Sequence, residues 1–162
     1  EARERFLSAV GVTSGNRATG RIFLSREGTG TTRTLSNQTE VESLLGKNGF
    51  QKVQLEKLSL HEQIRLIANA ATVVAPHGAG LVHTLFMMKG NVIEFFPQSN
   101  DPTRTLVEPC WSRILACHDE NGRAVTWNAV NCEVAMLSAT DFSQYRLKID
   151  LPQLQKALEH LA

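Results

Sequence analysis

Cysteine is scarce: Cys110, Cys117 and Cys132 stand far apart and are odd in number. That excludes a disulfide framework and a Cys-x-x-Cys metal knuckle, and leaves reduced, partly buried thiols. An excess of one charge is missing too. The formal net charge is +1 and no run of like charges occurs, so the concentrated basic field that nucleic acid or a membrane surface would require is absent. No apolar run approaches the roughly 18 residues of a membrane span. The first residues, Glu1-Ala2-Arg3-Glu4-Arg5, have neither an initiator methionine nor a signal-peptide profile, as expected of a piece excised from something longer.

Several chemistries lack their signatures. His61-Glu62 has no second histidine at the zincin spacing, and the other histidines form no ligand cluster, so no metal site is expected. No two aspartates are separated by a single residue, which removes the Asp-x-Asp metal site of one large class of sugar transferases. A P-loop of the form G-x-x-x-x-G-K-[ST] and a G-x-S-x-G nucleophile elbow are also missing.

What is present is a chain of 162 residues with 42% hydrophobic content, enough for one domain with a real core. Phe6, Leu7 and Val10 have helical spacing, and Gly11 to Gly20 is turn-rich. Ile22-Phe23-Leu24 is a strand-type run followed by the loose stretch Glu27 to Thr32. Thr39 and Glu42 are spaced as a capping box for a short helix, and Phe50 to Leu55 alternates as a half-buried strand. Ser59 and Glu62 form a second capping box ahead of the stripe Leu60, Ile64, Ile67, Ala68 and Ala71, the strongest helix in the sequence.

A strand at Thr72 to Ala75, a helix from about Ala79 to Met88 ending at Lys89-Gly90, and a strand Val92 to Phe96 come next. Leu106 to Leu115 reads as a helix kinked or begun at Pro109, and Val125, Trp127 and Ala129 alternate as a strand. Asp150 caps a closing helix with Leu151, Leu154, Leu158 and Leu161 on its buried face. Strand and helix alternate at short spacing, which predicts an α/β fold: a Rossmann-like parallel sheet with helices on both faces, residues 1–162 forming a single domain.

In such sheets ligands bind beyond the carboxyl ends of the strands. That rule selects Ser25 and Arg26 after one strand, the turn Pro76-His77-Gly78-Ala79-Gly80 after another, and Glu94 at the end of a third. A guanidinium, a helix N-terminus with unpartnered N–H groups and a carboxylate suit a nucleotide diphosphate, the carboxylate taking ribose hydroxyls. His83, on the following helix, reads as structural. Gly78-x-Gly80 also begins a dinucleotide fingerprint, but His83 stands at the third glycine position and Glu94 follows sooner than the usual spacing of roughly 20 residues. An NAD-type domain and a non-catalytic nucleotide-sugar or interaction module therefore stay open. Asn37-Gln38-Thr39 forms a glycosylation sequon, incidental without secretory context.

The segment Ala75-Pro76-His77-Gly78-Ala79-Gly80-Leu81, with Leu85-Phe86 and then Val92-Ile93-Glu94, closely resembles the C-terminal signature of family 61 glycosyltransferases. Phe23-Leu24-Ser25-Arg26 and Leu58 to Ile64 fit the same pattern in the same order. The resemblance covers roughly Arg21 to Pro97 and implies one lobe of a GT-B fold, donor-binding in an inverting transferase that uses a nucleotide sugar, commonly UDP-linked, with no required metal or cofactor. Carried over, Arg26, His77, Gly78, Ala79 and Gly80 would hold the diphosphate, Glu94 the ribose, and the stretch Leu55 to Ser59 would border the base. Where the family shows Arg-x-x-x-Asn-Glu, this chain has Arg33-Thr34-Leu35-Ser36-Asn37-Gln38, which adds Arg33 and Asn37, together with Ser25, as further candidates. The implied partners are a glycan or protein acceptor and an N-terminal lobe or partner subunit carrying the general base.

Overall fold

The computed structural model describes residues 2–12, 18–28, 34–98, 117–118, 123–136 and 145–161. In order these form α1 (Ala2–Ala9), β1 (Gly20–Leu24), β2 (Thr34–Leu35), α2 (Gln38–Lys47), β3 (Gln51–Val53), a 3₁₀ turn (Leu55–Lys57), α3 (Leu60–Ala68), β4 (Ala70–Pro76), a 3₁₀ helix (Ala79–Phe86), β5 (Lys89–Pro97), β6 (Cys117–His118), β7 (Ala124–Met136), β8 (Tyr145–Lys148) and α4 (Leu151–Glu159). The helix expected over Leu106 to Leu115 lies outside the described residues.

The sheet runs β2-β8-β7-β5-β4-β1-β3, with β6 pairing β7. Its middle, β3-β1-β4-β5-β7, is parallel throughout. The expectation of a purely parallel sheet needs correcting at one side, where β7 pairs antiparallel with both β6 and β8. The reason lies in β7 itself. Its first part follows β5 up to the Pro97–Cys132 pair, and its last four residues run past the end of β5 and pair with β8. The connection from Met136 to Tyr145 is too short for the crossover of a dozen or more residues that a parallel return demands.

Helices cover both faces. Phe23, Val74, Ile93, Phe95 and Val130 bury one face against Val41 and Leu45 of α2 and Leu154 and Leu158 of α4. Ile22, Val73, Ala75, Val92 and Val125 bury the other against Ile67 of α3 and Leu81 of the 3₁₀ helix. A smaller cluster seats Leu7 and Val10 of α1 on Ile64 and Ala68 of α3. Burying each such side chain contributes about 1.5–3 kcal/mol.

Two helix termini follow the sequence. Ser59 Oγ accepts from Glu62 N at 3.4 Å while Glu62 Oε2 receives Ser59 N at 2.7 Å, and Asp150 Oδ1 accepts from Gln153 N at 2.9 Å with Pro152 in the first turn. Two readings change. The Thr39–Glu42 box does not form: α2 starts at Gln38 with Asn37 as N-cap and no side-chain cap. Asn37 has its amide on Ile149 instead, and Glu42 turns to Gln38 and Lys52. The helix expected from Ala79 to Met88 is a 3₁₀ helix ending at Phe86, and Lys89-Gly90 opens β5 rather than closing a helix. Its fully buried residues, Leu81 and Thr84, and then Met87, recur every third position. Three residues per turn place them on one ridge.

Among the described residues no helix is long and apolar enough to cross a membrane. Cys132 is buried, and that burial pushes its thiol up to about 12, so it stays protonated and inert.

Candidate functional site

The order β3-β1-β4-β5-β7 fixes where a ligand belongs. Apart from the two-residue β2 at the far edge, the strand that follows β1 is β3, on its outer side. The next, β4, lies on its other side with β5 and β7 beyond, so within these five strands the order reverses between β1 and β4. Beyond the carboxyl ends of two such strands the departing loops diverge and leave a crevice. A cleft of about 490 Å³ opens there, lined by Ser25 and Arg26 after β1, Ala79, Gly80 and His83 after β4, and Leu55 from the 3₁₀ turn. A larger hollow of about 770 Å³ runs along the outer edge of β3 and α3 to Thr19 and Gly20 at the amino end of β1. Volume alone would favour it, but strand polarity puts the ligand at the opposite end of β1.

Of the residues selected from sequence, Ser25, Arg26, Leu55, Ala79 and Gly80 meet in this one cleft. His77 and Gly78 sit directly behind it, buried. Ser59 is at the N-cap of α3, apart from the cleft lining. Asn37 faces Ile149, and Arg33 lies outside the described residues.

The loop carrying Arg26 is pinned from several sides. Ser25 N donates to Val53 O at 2.8 Å, and Ser25 Oγ, nearly buried, accepts from Glu27 N at 3.2 Å and Gln38 Nε2 at 3.4 Å. Gln54 Nε2 donates to Glu27 O. Lys52 of β3 pairs with Glu27 of the loop and, at 2.5 Å, with Glu42 of α2. Burial alone would raise the Glu42 carboxyl, but hydrogen bonds from Gln38 and Lys52 outweigh it and hold the group below its ordinary value. Burial likewise opposes the charge on Lys52, and its two carboxylate partners override that and raise it.

The turn after β4 has its own support. His77 N donates to Phe95 O at 3.0 Å, tying the turn to β5. Gly78 has φ 156° and ψ 179°, a region essentially reserved for glycine. In the register, Ala75 stands beside Glu94 and Glu94 beside Ala129, so Trp127, two residues before Ala129, shares a face with the Glu94 carboxylate. That carboxylate is buried, 1% exposed. Its Oε1 lies 2.5 Å from His77 Nδ1, and its Oε2 accepts from Trp127 Nε1 at 2.8 Å. The Phe96 ring packs edge-on against the imidazole at 5.7 Å. A carboxylate only accepts, so toward an ionised Glu94 the Nδ1 of His77 is the donor. A ribose hydroxyl would have to share one of these two oxygens to meet Glu94.

Two polar residues of the cleft, His83 and Gln63, went unselected by sequence reasoning. His83, read as structural, does bond Gly80 O through Nδ1 at 3.2 Å, yet it also lines the cleft. Gln63 lines it while its Nε2 donates to Leu55 O at 2.8 Å and Leu58 O at 2.9 Å, fixing the 3₁₀ turn. Glu56, inside the selected stretch Leu55 to Ser59, lines it as well. The i+3 spacing of His83 from Gly80 was the available signal for the first. Among the described residues no three His, Cys, Asp or Glu side chains gather as a metal site would need. What the cleft offers is a guanidinium and the backbone N–H groups of a helical first turn, with a carboxylate-held histidine buried next to its lining, an arrangement that receives anions.

Comparison with known proteins bears on the same region. The sequence model of glycosyltransferase 61 matches residues 2–93, more than half of the 162-residue chain. Protein O-linked-mannose beta-1,4-N-acetylglucosaminyltransferase 2 of Homo sapiens is 36% identical over 74 residues, 43% of this chain and 13% of the human protein. The proteins of the same name from Xenopus tropicalis and Mus musculus are 38% and 35% identical over the same length and with the same coverage. The similarity thus spans 13% of each relative's length.

Proposed function

The chain belongs to glycosyltransferase family 61, and from that membership we propose that it is the donor-binding lobe of an inverting transferase that moves a sugar from a UDP-linked donor to a glycan or protein hydroxyl. The observation that carries the reading is the meeting of Arg26 with Ala79 and Gly80 in one cleft at the point where the strand order reverses. Both motifs fall inside the family match. The rest of a two-lobed GT-B enzyme, a second lobe or a partner subunit, supplies the acceptor contacts and the general base.

The chemistry follows from the charge that develops. An acceptor hydroxyl oxygen attacks the anomeric carbon from the side opposite the diphosphate. As that bond forms, the carbon–oxygen bond to the diphosphate breaks, its electron pair leaves with UDP, and the base takes the hydroxyl proton. No proton need reach the leaving group if its growing charge is neutralised. Arg26 and the N–H groups at the start of the 3₁₀ helix serve that end, the electrostatic contribution that dominates such steps. Leu55 borders the base.

Calorimetry with UDP, and with NAD as the competing dinucleotide, tests the reading on the chain as it is. Binding of UDP with NAD inert is expected. Binding of NAD in preference, or of neither, overturns it.

A further inference from the structure

The family match ends at residue 93, so neither Glu94 nor Trp127 falls within it. Yet the two form a hydrogen-bonded chain with His77, which does. Trp127 Nε1 donates to Glu94 Oε2 at 2.8 Å, and Glu94 Oε1 faces His77 Nδ1 at 2.5 Å. Glu94 is 1% exposed and His77 7%. A carboxylate so deeply buried is costly unless a positive charge accompanies it. The indole N–H is neutral, and His77 is the ionisable partner that Glu94 meets among the described residues, an ion pair once the imidazole is protonated. The other imidazole nitrogen, Nε2, makes no hydrogen bond among the described residues. His77 sits between Pro76, which lines the cleft, and Gly78, which opens the 3₁₀ helix.

We propose that Trp127 and Glu94 are positioning residues that hold His77 as an imidazolium, its Nδ1–H on Glu94 and its Nε2–H on the diphosphate of the bound nucleotide. This rests on the nucleotide-sugar reading of the cleft. The logic is one of acceptors. A carboxylate stands on one side of the ring and a diphosphate would stand on the other, both can only accept, and an imidazole between two acceptors carries a proton on each nitrogen. Glu94 provides the compensating charge that keeps the second proton in place, and Trp127 keeps the carboxylate from rotating away. His77 thus adds a positive donor next to Pro76 of the cleft lining, supplementing Arg26 at the leaving diphosphate. The indole N–H matters for where the charge points, not for how the strand folds.

The test uses the whole chain and two probes, UDP and uridine, which share the base and ribose but not the diphosphate. Glu94→Gln keeps an acceptor for Nδ1–H and removes the charge. Trp127→Phe keeps an aromatic ring and removes the N–H. UDP affinity should fall about tenfold or more for Glu94→Gln, the range of a lost charge-assisted hydrogen bond, and by a smaller factor for Trp127→Phe. Uridine affinity, followed by NMR shift titration, should stay at the wild-type value. In the wild-type UDP complex, nitrogen-15 shifts should place a proton on both His77 nitrogens. If wild-type UDP binding is normal but the variants keep the UDP-to-uridine ratio, or if Nε2 is unprotonated in the complex, the relay is overturned and the nucleotide reading stands. If the wild type binds neither probe, both fall. Should a variant not fold, the wild-type nitrogen shifts decide alone.

Discussion

Lys52 Nζ on β3 lies 2.5 Å from Glu42 Oε1 on α2, and the same ammonium reaches Glu27 in the loop that carries Arg26. One strand residue therefore links the ligand loop to a helix on the far face of the sheet. The link is a pH-dependent clamp. Glu42 is held below its ordinary 4.5, so its contribution is complete above that value and disappears as pH falls through the lower folded value. Lys52 is raised above its ordinary 10.5, so its contribution is complete below that value and disappears as pH rises through the higher folded one.

Lys52→Met should accordingly cost little in overall stability, about 0.5–1 kcal/mol, because Lys52 is just over a third exposed and Glu27 more than half, and solvent screens them. The effect should shrink in 1 M salt. Thermal melts across pH should show the deficit at neutral pH narrowing only below 4.5. A deficit that is constant down to strongly acid pH would show that packing, not charge, is what Lys52 provides.

Arg26→Ala should weaken UDP binding by about 1.5–3 kcal/mol, the range for hydrogen bonds to a charged group. Arg26→Lys keeps the charge but loses the planar fork that matches two phosphate oxygens, and should restore only part of the affinity. Calorimetry on the three proteins reads this directly. UDP affinity indifferent to both changes would remove Arg26 from the site.

Asn37→Ala tests an architectural role. The Asn37 amide grips the Ile149 backbone at both ends, Nδ2 donating to its carbonyl at 2.8 Å and Oδ1 accepting from its N–H at 3.0 Å. It ties the β2–α2 junction to the β8–α4 junction across 112 residues of sequence. Losing both bonds and stranding two half-buried backbone groups should cost about 2–3 kcal/mol in denaturant melts, with UDP affinity unchanged, since Asn37 is no part of the cleft lining. A coupled loss of UDP affinity would return Asn37 to the list of ligand residues.

These cases mark how far the sequence could be read. β1, β4 and β5 were legible because fully buried strands are continuous apolar runs, and α3 and α4 because their caps are local. Arg26 and the Pro76 to Gly80 turn were legible because each directly follows such a strand. The 3₁₀ helix was read as α because its residues fit both periods over so short a span, and only the burial of Leu81, Thr84 and Met87 at every third position separates them. β8 was missed because four alternating residues carry little signal, and its direction depends on how far β7 outruns β5. Trp127 was seen as a strand residue but not as a partner of Glu94, 33 positions away, since no local pattern encodes that register.

Gly90→Ala separates fold from function most sharply. Gly90 has φ 146°, a backbone conformation that side-chain-bearing residues rarely adopt. A Cβ there would also be driven into the Ala71 carbonyl oxygen and, at 2.9 Å, the Met87 methyl group. The carbonyl belongs to β4, which pairs with β5, so it cannot move without opening the central ladder of the sheet. Strain and overpacking together should cost about 3–5 kcal/mol. The same two strands present Pro76, His77 and Glu94 at their far ends, so the damage is transmitted as loss of the folded state rather than as a local change in the cleft. In denaturant melts the midpoint should collapse, and whatever fraction remains folded should bind UDP with wild-type affinity. A folded, fully stable Gly90→Ala protein would mean that β5 begins in a different backbone path from the one described.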